Sequence, residues 1–267
     1  MHLPPLAAEI VFYIGSFPVT NSLINAVLVT VLFTIGGLIL RHSLQPVPSG
    51  FQNVVEATLE TLLGYFDQVT GDRRKSVRFL PLVGTLFLFI AASNWLGVFP
   101  GIGSIGRTMI VHGESEFVPL FRPANTDFNL TLAMAVLAVV SSHVLGVAAI
   151  GFWKYADKFI KLGTLWHSLR QGGVSIMIGI IEFFVGLIEV VSEIAKMISL
   201  SLRLFGNIFA GEVLLTVIGG LVAYFVPLPF LLLELLVGVI QATVFSMLTL
   251  VYLTVATAEI EAHGSGH

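Results

Sequence analysis

The sequence contains no cysteine, and only 11 % of its 267 residues are charged. The first absence excludes disulfides, thiolate catalysis and cysteine-ligated metals. The second, joined to 56 % hydrophobic residues and a mean hydropathy of +0.95, excludes an ordinary soluble domain, in which about a quarter of the residues are charged. A net charge of −3 is too small to imply an electrostatic partner, and no basic footprint points to nucleic acid. Residues 1–21 lack Lys and Arg, and no A-x-A site follows the first apolar run, so that run is not expected to be a cleaved signal. What remains is an integral membrane protein, expected to be all-α.

Spans follow from asking where about 20 residues pass without a solvated charge. Residues 22–40, 79–98 and 129–151 qualify, and two longer stretches, 173–222 and 228–258, flank Gly219-Gly220 and Pro227-Leu-Pro229. As one helix the first long stretch would measure roughly 70 Å, more than twice the hydrocarbon thickness, so it must be tilted, kinked or broken. A steep tilt is favoured, giving about five transmembrane helices in one membrane domain with a long C-terminal hairpin. Residues 50–67 have a helical period of their own, in which Phe51, Val54, Val55, Thr58, Leu59, Leu62, Leu63 and Phe66 share a face. They predict an in-plane surface helix or one packed on a soluble partner. Nine basic residues occupy the 41–78 and 152–172 connections, while the opposite side has only Arg107 and Arg122. The N-terminus is therefore expected outside and the C-terminus in the cytoplasm.

The polar residues inside the last two stretches hold the functional information. Glu182, Glu189, Glu193, Lys196, Arg203 and Asn207 fall within an arc of roughly 80° on a helix, and Glu212 points to the opposite side. Glu234, Gln241, Tyr252 and Glu259 share a face of the final helix. Folding the hairpin near residue 224 brings Glu212 and Glu234 to similar depth, with Arg203 and Gln241 level with each other near the middle and Glu189 and Glu193 toward the cytoplasm. A charge at the bilayer centre costs about 2.5–3.5 kcal/mol on insertion scales, so each of these needs a partner or water. Lys196 can pair with Glu189 or Glu193 at helical spacing. Arg203 has no acid within four residues, and the nearest charges on its stripe are the repelling Lys196 and Glu193, about 15 Å away. Its partner must come from elsewhere.

The run Ser201-Leu-Arg-Leu-Phe-Gly-Asn-Ile-Phe-Ala-Gly-Glu212 resembles the signature of subunit a of rotary F-type ATP synthases. The resemblance extends to Phe12-Tyr-Ile-Gly-Ser-Phe-Pro-Val-Thr-Asn21, Asn94-Trp-Leu-Gly97, Ile240-Gln-Ala-Thr-Val-Phe245 and Val251-Tyr-Leu253, so it covers the whole chain. It implies a proton-channel stator subunit with two offset aqueous half-channels, set against an oligomeric c-ring, peripheral-stalk b subunits and the rest of the complex in a bacterial inner membrane; a mitochondrial inner membrane is the less favoured setting. Arg203 would be the stator arginine that meets each passing c-subunit carboxylate. Arginine suits this because it stays charged when desolvated, whereas a lysine could lose its proton. Glu212 and Glu234 would line the outer half-channel with Asn94, Asn207 and Gln241, and Glu189 the cytoplasmic one, with Ser192 and Ser199 near its face and Tyr252 on the facing helix. Many relatives place a histidine at one of the two outer acidic positions. Here both are Glu, a coupled pair whose order of transfer is open. His143 is either a substitute relay or a hydrogen-bonded packing residue, and packing is the weightier reading.

Other motifs are discounted. Gly101-Ile-Gly-Ser-Ile-Gly106 spells a dinucleotide fingerprint but follows a membrane helix, so it reads as flexible loop. His263 and His267 sit in a Gly-rich tail, and no metal, cofactor or covalent chemistry is expected of this chain. The alternative is a self-contained cation/proton secondary transporter, which would need a full substrate site, usually on inverted repeats, and no second copy of the Arg203 segment exists. A non-transporting assembly subunit would leave the charged stripes unexplained.

Overall fold

The computed structural model describes residues 4–99, 101–111, 114–159, 174–222 and 225–264. Helix α1 (Asn21–Ser43) starts where the Thr20 side chain accepts from the Leu23 amide, an N-cap that satisfies one of the open amides of the first turn. Helix α2 (Phe51–Thr70) stops at Gly71, whose φ of 67° and N–H donating to the Asp67 carbonyl form a left-handed cap. Helix α3 (Arg73–Val98) is capped by Asp72 and carries Pro81 inside it, and α4 (Phe128–Ile150) is capped by Asp127. A short α5 (Phe152–Phe159) precedes α6 (Val174–Leu221) and α7 (Pro227–Gly264).

Helix α6 runs unbroken for 48 residues, so it spans about 70 Å and crosses a 30 Å hydrocarbon layer only when steeply tilted. Among the described residues, four helices, α1, α3, α4 and most of α7, are each long and apolar enough to cross a membrane. The chain is an all-α membrane protein in its architecture, and multi-pass.

Two short β-hairpins decorate it at one end. Hydropathy leaves residues 1–21 and 99–128 as connections, whereas β1 (Ile10–Ile14) pairs antiparallel with β2 (Phe17–Thr20), and β3 (Gly106–Val111) with β4 (Glu114–Pro119). Strands of four to six residues are too short to announce themselves by alternation. The turn of the first is made by Gly15 at φ 65°, which glycine adopts without strain. The Gly101–Gly106 segment is likewise ordered, as a 3-10 turn over Ile102–Ser104 running into β3.

The core lies among α3, α4, α6 and α7, where Ile90, Ala135, Ala138, Leu200, Leu204, Ile208, Ala242 and Phe245 pack together. Leu200, Leu204 and Ile208 recur every four residues and fix which side of α6 faces inward. Part of the apolar face of α2 is committed too: Leu62 and Phe66 pack on Phe79 and Val83 of α3 and on Leu250 and Leu253 of α7. Phe51 and Val54, at the start of that helix, stay exposed. Residues 160–173, with Lys161 and Arg170, the 223–224 turn centre and His267 lie outside the described residues.

Candidate functional site

Near the α6–α7 turn, an open cleft of 350 Å³ is lined by Glu212 and Thr216 of α6, Pro227, Leu231 and Glu234 of α7, Gly97 at the end of α3, and Arg122. The two carboxylates expected to share a depth are both here. Glu234 is 7 % exposed and accepts no hydrogen bond from the described residues. Its carboxyl group rests directly over Gly211, where any Cβ would overlap it. Glycine at 211 is thus what admits a carboxylate between the two helices.

Arg122 is the residue that sequence reasoning missed, having been counted only as a loop charge. Its side chain is 2 % exposed, and its Nε lies 2.8 Å from Oε1 and 3.0 Å from Oε2 of Glu212. The Nη atoms donate to the Pro5 and Ala7 carbonyls, at 2.9 and 3.3 Å. Its own carbonyl accepts from Asn25 Nδ2 of α1 at 2.8 Å, so the first helix positions the backbone behind the guanidinium. The only available signal was that it is one of just two cations, with Arg107, in the 99–128 connection, set beside Pro123-Ala-Asn-Thr126.

Asn94, expected as a companion of the pair, does other work. Its amide donates to the Gly238 carbonyl and its Oδ1 accepts from Asn125 Nδ2 at 2.7 Å, which ties α3, α7 and the α4 approach in one buried chain. Asn94 therefore props the cleft and touches neither carboxylate. Gln241 is buried a further turn or two along α7.

Arg203 lies on the other side of α6. It is exposed, as are Ser199, Gly206, Asn207 and Ala210 around it, and it makes no ion pair or hydrogen bond among the described residues. The level expected between Arg203 and Gln241 yields no hydrogen bond between them among the described residues. An exposed cation amid Leu202, Ile198 and other exposed apolar side chains is not satisfied by the described residues.

A third cluster lies farther along α6, about 28 Å of helix from Glu212. Glu193 accepts from Lys196 Nζ at 2.7 Å and stands 3.6 Å from His143 Nε2, while His143 Nδ1 is 2.6 Å from the Tyr155 hydroxyl. The Lys196 ammonium sits 5.3 Å from the Tyr252 ring centroid. Of the two pairs open to Lys196, the structure makes the one with Glu193. His143 does not stand near Glu212 and Glu234, so it cannot replace a histidine of the outer pair. It joins α4 to α5 and α6 beside an apolar cavity of 440 Å³. Glu189 is half-buried on the same stripe and has an interaction partner of its own.

The sequence has counterparts among known proteins. The model of the ATP synthase A chain family matches residues 21–254. The chain belongs to that family. It is 34 % identical over 236 residues to the ATP synthase subunit a of Campylobacter jejuni strain 81-176, covering 88 % of this chain and 89 % of that one. The subunit a of Moorella thermoacetica is 29 % identical over 91 % of this chain and 93 % of its own length. That of Geobacter sulfurreducens is 31 % identical over 85 % and 82 %. In this member of the A chain family the matched region takes in α1 to α4, all of α6 and most of α7, hence the cleft and the Arg203 face alike.

Proposed function

We propose that this chain is the stationary proton-channel subunit of a rotary ATP synthase, and that Arg203 acts on an ionisable carboxylate carried past it by a neighbouring ring of small membrane subunits. Membership of the A chain family supports the assignment. The observation that carries the role of Arg203 is its position: a permanent cation, exposed on α6 among exposed apolar side chains such as Ile198 and Leu202, with no anion bound to it among the described residues. A guanidinium keeps its proton even when desolvated, so it favours deprotonation of an arriving carboxyl without taking that proton itself.

Two access routes fit on opposite sides of this residue. The cleft with Glu212 and Glu234 opens at the hairpin-turn end, which the distribution of basic residues assigns to the outside. Glu189, Ser199 and Tyr252 lie toward the cytoplasmic end, and Asn207 is next to Arg203 on its exposed face. A proton entering by one route would ride the ring before leaving by the other, with Arg203 as the electrostatic barrier between them. The chain makes no covalent bond in this scheme; ATP chemistry belongs to the soluble part of the complex, which peripheral-stalk b subunits would hold against this chain. The setting is a bacterial cell membrane, with the N-terminus outside and the C-terminus in the cytoplasm.

Replacing the arginine tests this. Arg203→Ala in the intact complex is expected to abolish both ATP-driven proton pumping and proton-driven synthesis in inverted vesicles, while the subunits still co-purify. Normal coupled pumping by the assembled variant contradicts the assignment. A self-contained transporter would instead move ions after purification alone, and nothing in the described residues forms a second site of the kind that mechanism needs.

A further inference from the structure

Two carboxylates share the cleft, and Arg122 makes them unequal. Its Nε donates to both oxygens of Glu212, its two Nη atoms are occupied by the Pro5 and Ala7 carbonyls, and its guanidinium carbon lies 5.9 Å from the Phe209 ring centroid. A guanidinium held at four acceptors and 2 % exposed cannot follow a carboxylate that changes charge. Protonating Glu212 would leave a buried cation unpaired, because arginine does not give up its own proton. Glu234 is bound by no such constraint. It lies in the same cleft, takes no hydrogen bond from the described residues, and has its space reserved by Gly211, so gaining or losing a proton there breaks no contact. The charged side chains lining the cleft are Arg122, Glu212 and Glu234, and among the described residues no other charge faces Glu234 from α3, the 119–123 connection, α6 or α7.

We infer that Arg122 is a positioning residue that holds Glu212 as one half of a standing ion pair, and that Glu234 alone takes up and releases the proton at this level of the chain. The step is transfer of a proton from hydronium in the cleft to a Glu234 carboxylate oxygen, leaving water, and its reverse on release. The same guanidinium makes the Pro5–Ala7 segment a strap whose carbonyls, acting with Glu212, hold the cation in place. This inference rests on the proton-channel reading above.

The test is proton-driven ATP synthesis by the intact complex in liposomes, measured against pH on the cleft side at constant driving force. Glu234→Gln is expected to lower the rate about tenfold or more and to flatten the pH profile. Arg122→Gln, which strands Glu212, is expected to lose about tenfold. The double variant Arg122→Gln with Glu212→Gln removes both halves of the pair, and is expected to run several-fold faster than Arg122→Gln alone with its pH profile kept. Should Arg122→Gln fail to assemble, the double variant decides alone. A flat profile in the double variant, a retained profile in Glu234→Gln, or an unmodified rate in Arg122→Gln overturns the inference. None of these outcomes touches the channel reading, which fails only if assembled Arg203→Ala remains coupled.

Discussion

Glu212 and Arg203 stand nine residues apart on α6, about half a turn out of phase. Glu212 accepts from a buried arginine of the 119–123 connection, whereas Arg203 is exposed and bonds to nothing among the described residues. The same helix therefore carries one charge that the fold satisfies internally and one that it presents outward. On the proposed function this difference separates a side chain that builds the pathway from one that meets another subunit, since an unsatisfied charge in hydrocarbon is costly.

Several substitutions would break or sharpen that contrast. Arg203→Ala, with complete loss of coupling, has the largest expected effect and acts on the outward face alone. Gly211→Ala comes next and acts on the inward one. A Cβ at 211 overlaps the Glu234 carboxyl, so that side chain must leave its seat, and proton-driven synthesis is expected to fall about tenfold with the complex assembled. An unchanged rate in reconstituted liposomes would mean that Glu234 does not act from this position. The smallest change in turnover is expected from Asn125→Ala. It strips the donor from Asn94 Oδ1 and the Ile90 carbonyl, which should cost about 1–3 kcal/mol of stability by thermal denaturation while each assembled complex keeps most of its turnover.

Much of this was legible in the sequence, and the limits have physical causes. Long apolar runs declare helices because every backbone amide in lipid must be satisfied within the segment. Counting residues on either side of the turn brought Glu212 and Glu234 together, and 100° steps put Arg203 and Glu212 on opposite sides of α6. Arg122 was not legible. Its ion pair joins positions 90 residues apart, and no periodicity links a connection to a helix. The same holds for Asn94, whose partners lie on another helix and in a separate turn, and for His143, which hydropathy places in a span but not beside Glu193 and Tyr155. The short hairpins escaped because their strands are few residues long.

Because the chain has no cysteine, a single one introduced on the exposed face of α6 is unique in it. Asn207→Cys, one turn from Arg203, can carry a photo-activated cross-linker in the intact complex. If the Arg203 face meets a ring of small membrane subunits, illumination joins this chain to one of them. If the adducts are with lipid alone, that face is not an intersubunit surface, and the role assigned to Arg203 is contradicted.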